Sequence, residues 1–130
     1  MRNVFLGLIL TLIFGGAMTA NAQGTQQISV RLNKQAKASR SNLTIKFISV
    51  EDSRCPQDVQ CVWAGNAKVT IKVTSRRGGA QNFDLNTGAG EKSIKFNGYE
   101  IKLDTVTPYP RSNIRINPNG YTATFTITRV

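Results

Sequence analysis

Hydrophobic and polar residues alternate in short stretches along the chain after residue 27, and helical spacing of apolar residues is rare. A period of two residues is typical of β-strands that bury one face. This pattern predicts seven strands, around residues 28–32, 43–47, 69–73, 81–85, 92–96, 99–104 and 121–130.

Turn signals separate the predicted strands. Asn97-Gly98 can supply the positive φ angles of a two-residue type I′ hairpin turn. Two further breaks are similar: residues 76–79 contain two glycines, and residues 117–120 contain a proline and a glycine. The stretch 108–110 has two prolines that cannot donate to a β-ladder, which predicts a looping crossover there.

The strand and turn pattern predicts an all-β fold in one domain, residues 23–130. An antiparallel β-sandwich of about seven strands, immunoglobulin-like in size, is expected, and a small β-barrel is the alternative that periodicity does not separate from it. The Gln-rich start at 23–27 is predicted to be flexible, and residues 33–42 are predicted to form a polar linker.

The first 22 residues have the order of a signal peptide. Arg2 precedes an apolar run from Val4 to Phe14, and small residues ending in Ala20-Asn21-Ala22 follow. The apolar run of 11 residues is about half of the roughly 20 that a membrane-spanning helix needs. We therefore expect cleavage after Ala22, export to the periplasm or the medium, and no membrane span in the mature chain.

The chain is strongly basic and contains no histidine. It has 17 Lys and Arg against 7 Asp and Glu, a formal charge of +10, and loss of Arg2 with the leader would lower that charge by one. Such a field attracts polyanions. Without histidine the chain lacks the commonest general base and metal ligand. We expect no enzymatic activity, no metal and no cofactor.

Two carboxylate pairs keep a hydrolase alternative open. Glu51 with Asp58, or Glu100 with Asp104, would provide the two acids that glycoside hydrolysis uses, although neither pair belongs to a recognisable motif.

Cys55 and Cys61 are the two cysteines of the chain. In an exported protein they most simply form a disulfide, and five intervening residues allow its geometry. A loop this short gives about 2 kcal/mol of stabilisation in the chain-entropy estimate. The spacing is not the Cys-x-x-Cys of redox proteins, and two thiols alone fill half of a zinc shell.

The cysteines belong to the string Asp52-Ser-Arg-Cys-Pro-x-x-Val-x-Cys-Val-Trp-Ala-Gly-x-Ala67. This string resembles the signature of a family of small, secreted, functionally uncharacterised bacterial proteins. The resemblance extends more loosely to the end of the chain. It implies an exported bacterial β domain with this disulfide, and it implies no activity.

Trp63 is predicted to pack in the core beside the disulfide, as tryptophan does in many sandwich domains. The alternative is a ligand-stacking platform with Arg54 as an anion clamp, which would suit sugars, nucleobases or acidic groups. Gln57 and Asp58 lie in the same loop and are further candidates for contact with a ligand.

Lysines and arginines are spread over the predicted strands, mostly at outward positions, which is typical of solvated faces. The alternative is a basic stripe that binds an anionic envelope polymer, while nucleic acid is not expected as a partner. The residues of that stripe would be Lys68, Lys72, Arg76 and Arg77.

We therefore predict an exported, non-enzymatic β-sandwich that binds an anionic envelope component or a protein partner through its loops. A secreted enzyme inhibitor that presents the disulfide-closed loop is the alternative, because a preorganised loop loses less entropy on binding.

Overall fold

The structure is a computed structural model that describes Gly15 and residues 25–130. The described residues contain eight β-strands and one 3-10 helix, Pro118–Gly120. The strands are β1 Thr25–Arg31, β2 Gln35–Ala38, β3 Leu43–Asp52, β4 Ala67–Ser75, β5 Gly79–Asn86, β6 Ser93–Phe96, β7 Tyr99–Thr107 and β8 Thr122–Arg129. They form two antiparallel four-stranded sheets with the orders β1-β8-β7-β6 and β2-β3-β4-β5.

The core lies between the two sheets and is built from every second residue of their strands. In β4, for example, Val69, Ile71 and Val73 are fully buried, whereas Lys72 points into solvent. Full burial of one such side chain stabilises the fold by about 1.5–3 kcal/mol relative to exposure. The alternation seen in the sequence is thus the alternation between core and solvent.

The predicted β-sandwich is confirmed, because the strands form two separate sheets rather than one closed barrel. All seven predicted strands are present as β1 and β3 to β8. The Asn97-Gly98 hairpin turn is confirmed as well, with φ angles of 51° and 82° in the left-handed region that a type I′ turn requires. Residues 108–110 lie outside the strands, as predicted.

The predictions of a flexible start and of a polar linker at 33–42 are wrong in part. Residues 35–38 of the second linker form β2, which pairs with β3 and turns Ala36 and Ala38 towards the core. Alanine has a low β-propensity, so these two inward positions gave little strand signal. The start that was predicted to be flexible is also ordered in part, because residues 25–27 belong to β1 and pair with the end of β8.

Two β-bulges set which residues face inward at one end of the sandwich. In β3 the register shifts between Phe47 and Ser49, and in β7 it shifts between Leu103 and Thr105. An extra residue reverses the alternation beyond it. Asp52 therefore turns towards the interior at the end of β3, where it would otherwise have faced solvent.

The predicted signal peptide lies outside the described residues apart from Gly15, so its cleavage stays a prediction. Within the described residues, no helix has the length and apolar character needed to cross a membrane.

Candidate functional site

Asp52 and Arg54 form a buried ion pair at the start of the loop that joins β3 to β4. Arg54 Nε and Nη2 donate to the two carboxylate oxygens of Asp52 at 2.8 and 2.9 Å. The side chains are only 7% and 6% exposed. Tyr121 donates its hydroxyl to the same carboxylate at 3.0 Å. This arrangement fixes the loop to the body of the sandwich.

The hydrogen bonds of this network change the acidity of two groups. Burial by itself raises the pKa of Asp52, but hydrogen bonds from Arg54 and Tyr121 outweigh it and hold the pKa below its usual value. Burial and the hydrogen bond to Asp52 raise the pKa of Tyr121 to about 12. At neutral pH Asp52 is therefore charged and Tyr121 is neutral, which is the arrangement that the hydrogen bonds need.

The two arms of the β3–β4 loop are joined to each other. Backbone hydrogen bonds run from Ser53 N to Asn66 O at 2.8 Å and from Cys55 N to Ala64 O at 2.9 Å. Further out, Cys55 and Cys61 form the predicted disulfide, with a Cα–Cα distance of 5.9 Å. The loop is therefore a closed projection, and we call the whole connection, residues 53–66, the disulfide loop.

The β7–β8 connection, residues 108–121, supports the β3–β4 loop from the side. Arg54 donates to the carbonyl oxygens of Val106 and Pro108 at 2.6 and 2.9 Å. The ring of Tyr109 covers the guanidinium, with 4.8 Å from the centroid to Cζ. The two connections therefore form one packed unit at this end of the sandwich.

Two further hydrogen-bonded contacts join these connections near the disulfide. Gln57 N donates to Pro110 O at 3.0 Å. Asp58 accepts the backbone N–H of Ser112 at 2.9 Å, and it also accepts the hydroxyl of Ser112. These bonds to Ser112 lower the pKa of Asp58.

Large apolar side chains are exposed on this supported loop. Val62 is 91% exposed and Trp63 is 81% exposed. Of the six large apolar residues that are exposed in the described part of the chain, five lie in the two connections, and Val130 is the sixth. We call these five residues the apolar end: Val59, Val62, Trp63, Tyr109 and Ile114.

The prediction that Trp63 packs in the core is wrong. The hydrogen bond from Cys55 N to Ala64 O closes the loop just beyond Trp63. Val62 and Trp63 therefore lie on its projecting part, and we call these two exposed residues the tip of the loop. The core beside β4 is filled instead by aliphatic side chains and by Phe47 and Phe125, which leave the tryptophan no place there.

Arg54 does not act as the free anion clamp of the alternative prediction. It borders a shallow recess of about 280 Å³ together with Gly65, Thr87 and Tyr109. Its guanidinium, however, already donates four hydrogen bonds to Asp52 and to two carbonyl oxygens. Arg54 therefore positions the loop. The exposed Gln57 and Asp58 contribute the contacts to the β7–β8 connection described above.

The four residues of the predicted basic stripe differ in their surroundings. Lys68 lies 3.2 Å from the carboxylate of Glu51 and so has an acidic partner. Lys72 faces Lys46 of β3 directly across the sheet. Arg76 and Arg77 lie in the β4–β5 turn, at the far end of β4 from the disulfide loop.

Sequence reasoning missed most of the apolar end. Val59 and Val62 lay within the quoted motif, and Tyr109 lay within the predicted crossover, but Ile114 had no signal beyond being an apolar residue in a turn-rich stretch. In the described residues, no group of three or more His, Cys, Asp or Glu is arranged to hold a metal ion.

Comparisons with known protein families, with curated proteins and with solved structures give no match to this chain. The resemblance of the 52–67 string to a family of secreted bacterial proteins therefore stays a prediction.

Proposed function

We propose that this chain is an exported, non-enzymatic binding protein that inserts the tip of its disulfide loop into an apolar recess of a protein partner. One observation carries the proposal: five of the six exposed large apolar side chains lie in two connections at one end of the sandwich. Exposed apolar groups gathered in one region mark interaction sites on soluble proteins.

Trp63 is the residue we expect to contribute most to binding. Tryptophan is enriched among the few interface residues that supply most of the binding energy, because it buries a large rigid surface. Val62 lies beside it on a projecting loop. A projecting tip fits a concave partner surface, which favours a recess over a flat face.

The supports of the loop favour this mode of binding. The disulfide, the backbone hydrogen bonds between the arms and the Arg54 network hold the loop in one conformation before any partner arrives. A preorganised loop loses less conformational entropy on binding, so more of the contact energy appears as affinity.

Three of the four carboxylates considered for hydrolysis have other partners, which favours binding over catalysis. Asp58 accepts two hydrogen bonds from Ser112, and Glu51 pairs with Lys68. Asp104 accepts from Gln27 and Thr126.

Enzyme inhibition is the second candidate function. It is favoured by the same projecting loop, which the disulfide and the hydrogen bonds between its arms support, since a rigid loop of this kind can occupy the active-site cleft of an enzyme. In that case the recess of the partner is a catalytic cleft, and the same residues make the contact.

The experiment places a photo-reactive phenylalanine analogue at position 62 of the full-length protein in its source cells. We expect a discrete crosslinked adduct with one protein. Excess unlabelled protein should suppress this adduct by competition, whereas the same excess of the unlabelled Trp63→Ala variant should not. The matched control places the same analogue at position 130, because Val130 is also exposed, at 64%, but lies at the far end of β8. It should give no such adduct.

Equal crosslinking from positions 62 and 130 would contradict the proposal. So would Trp63-dependent binding of the purified protein to vesicles of anionic phospholipid without any protein adduct, because the tip would then insert into a lipid surface.

A further inference from the structure

A second exposed surface lies about 25 Å from the disulfide loop, which is the length of β4 at 3.3 Å per residue. It surrounds the β2–β3 and β4–β5 turns. Lys37, Asn42, Thr44, Thr74 and Arg76 line an open depression there of about 320 Å³, together with Ser75.

A second depression adjoins the first and shares Asn42, Ser75 and Arg76 with it. It has a volume of about 270 Å³, and Arg77 and Asn97 also line it. No carboxylate lines either depression. Guanidinium, hydroxyl and amide groups border both depressions, and the ammonium group of Lys37 borders the first one as well. All of these groups can donate hydrogen bonds to an anion.

The outer face of the β2–β5 sheet continues this positive surface. Lys46 and Lys72 are direct cross-strand partners, and both are exposed. Lys37 lies on the neighbouring strand β2, opposite Thr44. Thr44 is the next outward-facing residue of β3 before Lys46. Like charges directly opposite each other destabilise a sheet. The Lys46–Lys72 pair therefore lowers the stability of the fold when no ligand is bound.

The surface has no acidic partner of its own. We call it the cationic surface, and its residues are Lys37, Lys46, Lys72, Arg76 and Arg77. Within residues 25–130 the ion pairs join Arg54 to Asp52 and Lys68 to Glu51, so none of the five takes part in one. On the neighbouring strand, Asp84 of β5 lies opposite Thr70 and accepts its hydroxyl at 2.7 Å.

The side chains of the cationic surface suit phosphate groups. A guanidinium donates two parallel hydrogen bonds to a phosphate, and lysines supply further charge. Successive outward rows of a strand lie about 7 Å apart. Two such rows lie side by side on this surface: one contains Lys46 and Lys72, and the next contains Lys37, Thr44 and Thr74. Their spacing therefore matches successive charges on an extended polymer chain.

We propose that the cationic surface binds a linear phosphodiester polymer that carries no bases, such as a polyol-phosphate chain. No aromatic side chain lines either depression, so the stacking platform that single-stranded nucleic acids use is missing there. The site is distinct from the apolar end, and one molecule can therefore hold such a polymer and a protein partner together.

The test measures binding of a synthetic glycerol-phosphate polymer to the purified protein by calorimetry at low salt. The double variant Lys37→Gln/Arg76→Gln should weaken binding about tenfold and reduce the salt dependence, because two phosphate contacts are lost. The control Lys95→Gln/Lys102→Gln removes the same charge from exposed positions of β6 and β7 in the other sheet, and its affinity should change less than about twofold.

Equal loss in both double variants would overturn the proposal, since the polymer would then respond to net charge alone. Equal affinity for polyglutamate, or tighter binding of a single-stranded oligonucleotide, would overturn the choice of ligand. The Val62→Ser variant should bind the polymer as well as the unchanged protein does. A failure of the proposed protein-partner binding can therefore be told apart from a failure of polymer binding at the cationic surface.

Discussion

At the scale of single residues, Asp52 determines how the disulfide loop is attached. Its carboxylate accepts hydrogen bonds from the Arg54 side chain, the Arg54 backbone and the Tyr121 hydroxyl. Removing one member of a buried ion pair leaves the other charge without compensation. The stability of the fold should therefore depend on whether Asp52 is ionised.

The Asp52→Asn variant tests this dependence. The pKa of Asp52 is lowered in the folded protein, so its contribution is present above the unfolded pKa of about 3.9 and is lost as pH falls through the folded pKa. We expect the variant to be about 3 kcal/mol less stable at pH 7. The difference should shrink steadily on acidification.

Urea unfolding from pH 7 to strongly acidic pH measures the difference. The control Glu91→Gln neutralises an exposed carboxylate in the β5–β6 connection, and we expect a change within about 0.5 kcal/mol. A difference between Asp52→Asn and the unchanged protein that is constant across the pH range would contradict the role of the ionised carboxylate.

At the scale of elements, the sequence predicted strands well where apolar residues with high β-propensity alternate, as in β4 and β8. It missed β2, whose inward residues are Ala36 and Ala38. It also gave no indication that the side chain of Asp52 faces the interior. The bulge after Phe47 reverses the alternation of inward and outward residues, and it leaves no local signal in the sequence. Local periodicity therefore predicts that a strand exists better than it predicts which face each residue occupies.

The conformation of the β3–β4 loop requires glycine at position 65. Its φ is +77°, and a Cβ there would lie 2.0 Å from Ser53 O and 2.7 Å from Arg54 Cα. An alanine would therefore push the two arms of the loop apart at the point where the Arg54 network begins.

We expect Gly65→Ala to destabilise the protein by clearly more than the matched variant Gly98→Ala. Gly98 has a similar φ of +82° but nothing within 4 Å of its added Cβ, so only the backbone cost of about 1 kcal/mol applies. Urea unfolding of both variants measures the comparison. Equal losses would mean that the close approach of the loop arms is not maintained in solution.

At the scale of the whole molecule, the two ends of the sandwich have different chemistry. The apolar end combines side chains from the β3–β4 and β7–β8 connections, which are separated in sequence by more than 40 residues. The cationic surface combines β2, β3, β4 and the β4–β5 turn. The predicted basic stripe already contained Lys72, Arg76 and Arg77. The sequence did not predict that Lys37 and Lys46 lie beside them, or that the apolar end forms, because both depend on which connections and strands lie side by side.

The central claim is that the disulfide loop holds Trp63 in water in the folded protein. Trp63 is the only tryptophan of the chain, so its fluorescence reports on this position alone. The direct measurement is acrylamide quenching of the native protein compared with the urea-unfolded protein. We predict a water-like emission maximum and a quenching constant close to the unfolded value. A blue-shifted emission that acrylamide quenches only weakly in the native protein would contradict the claim.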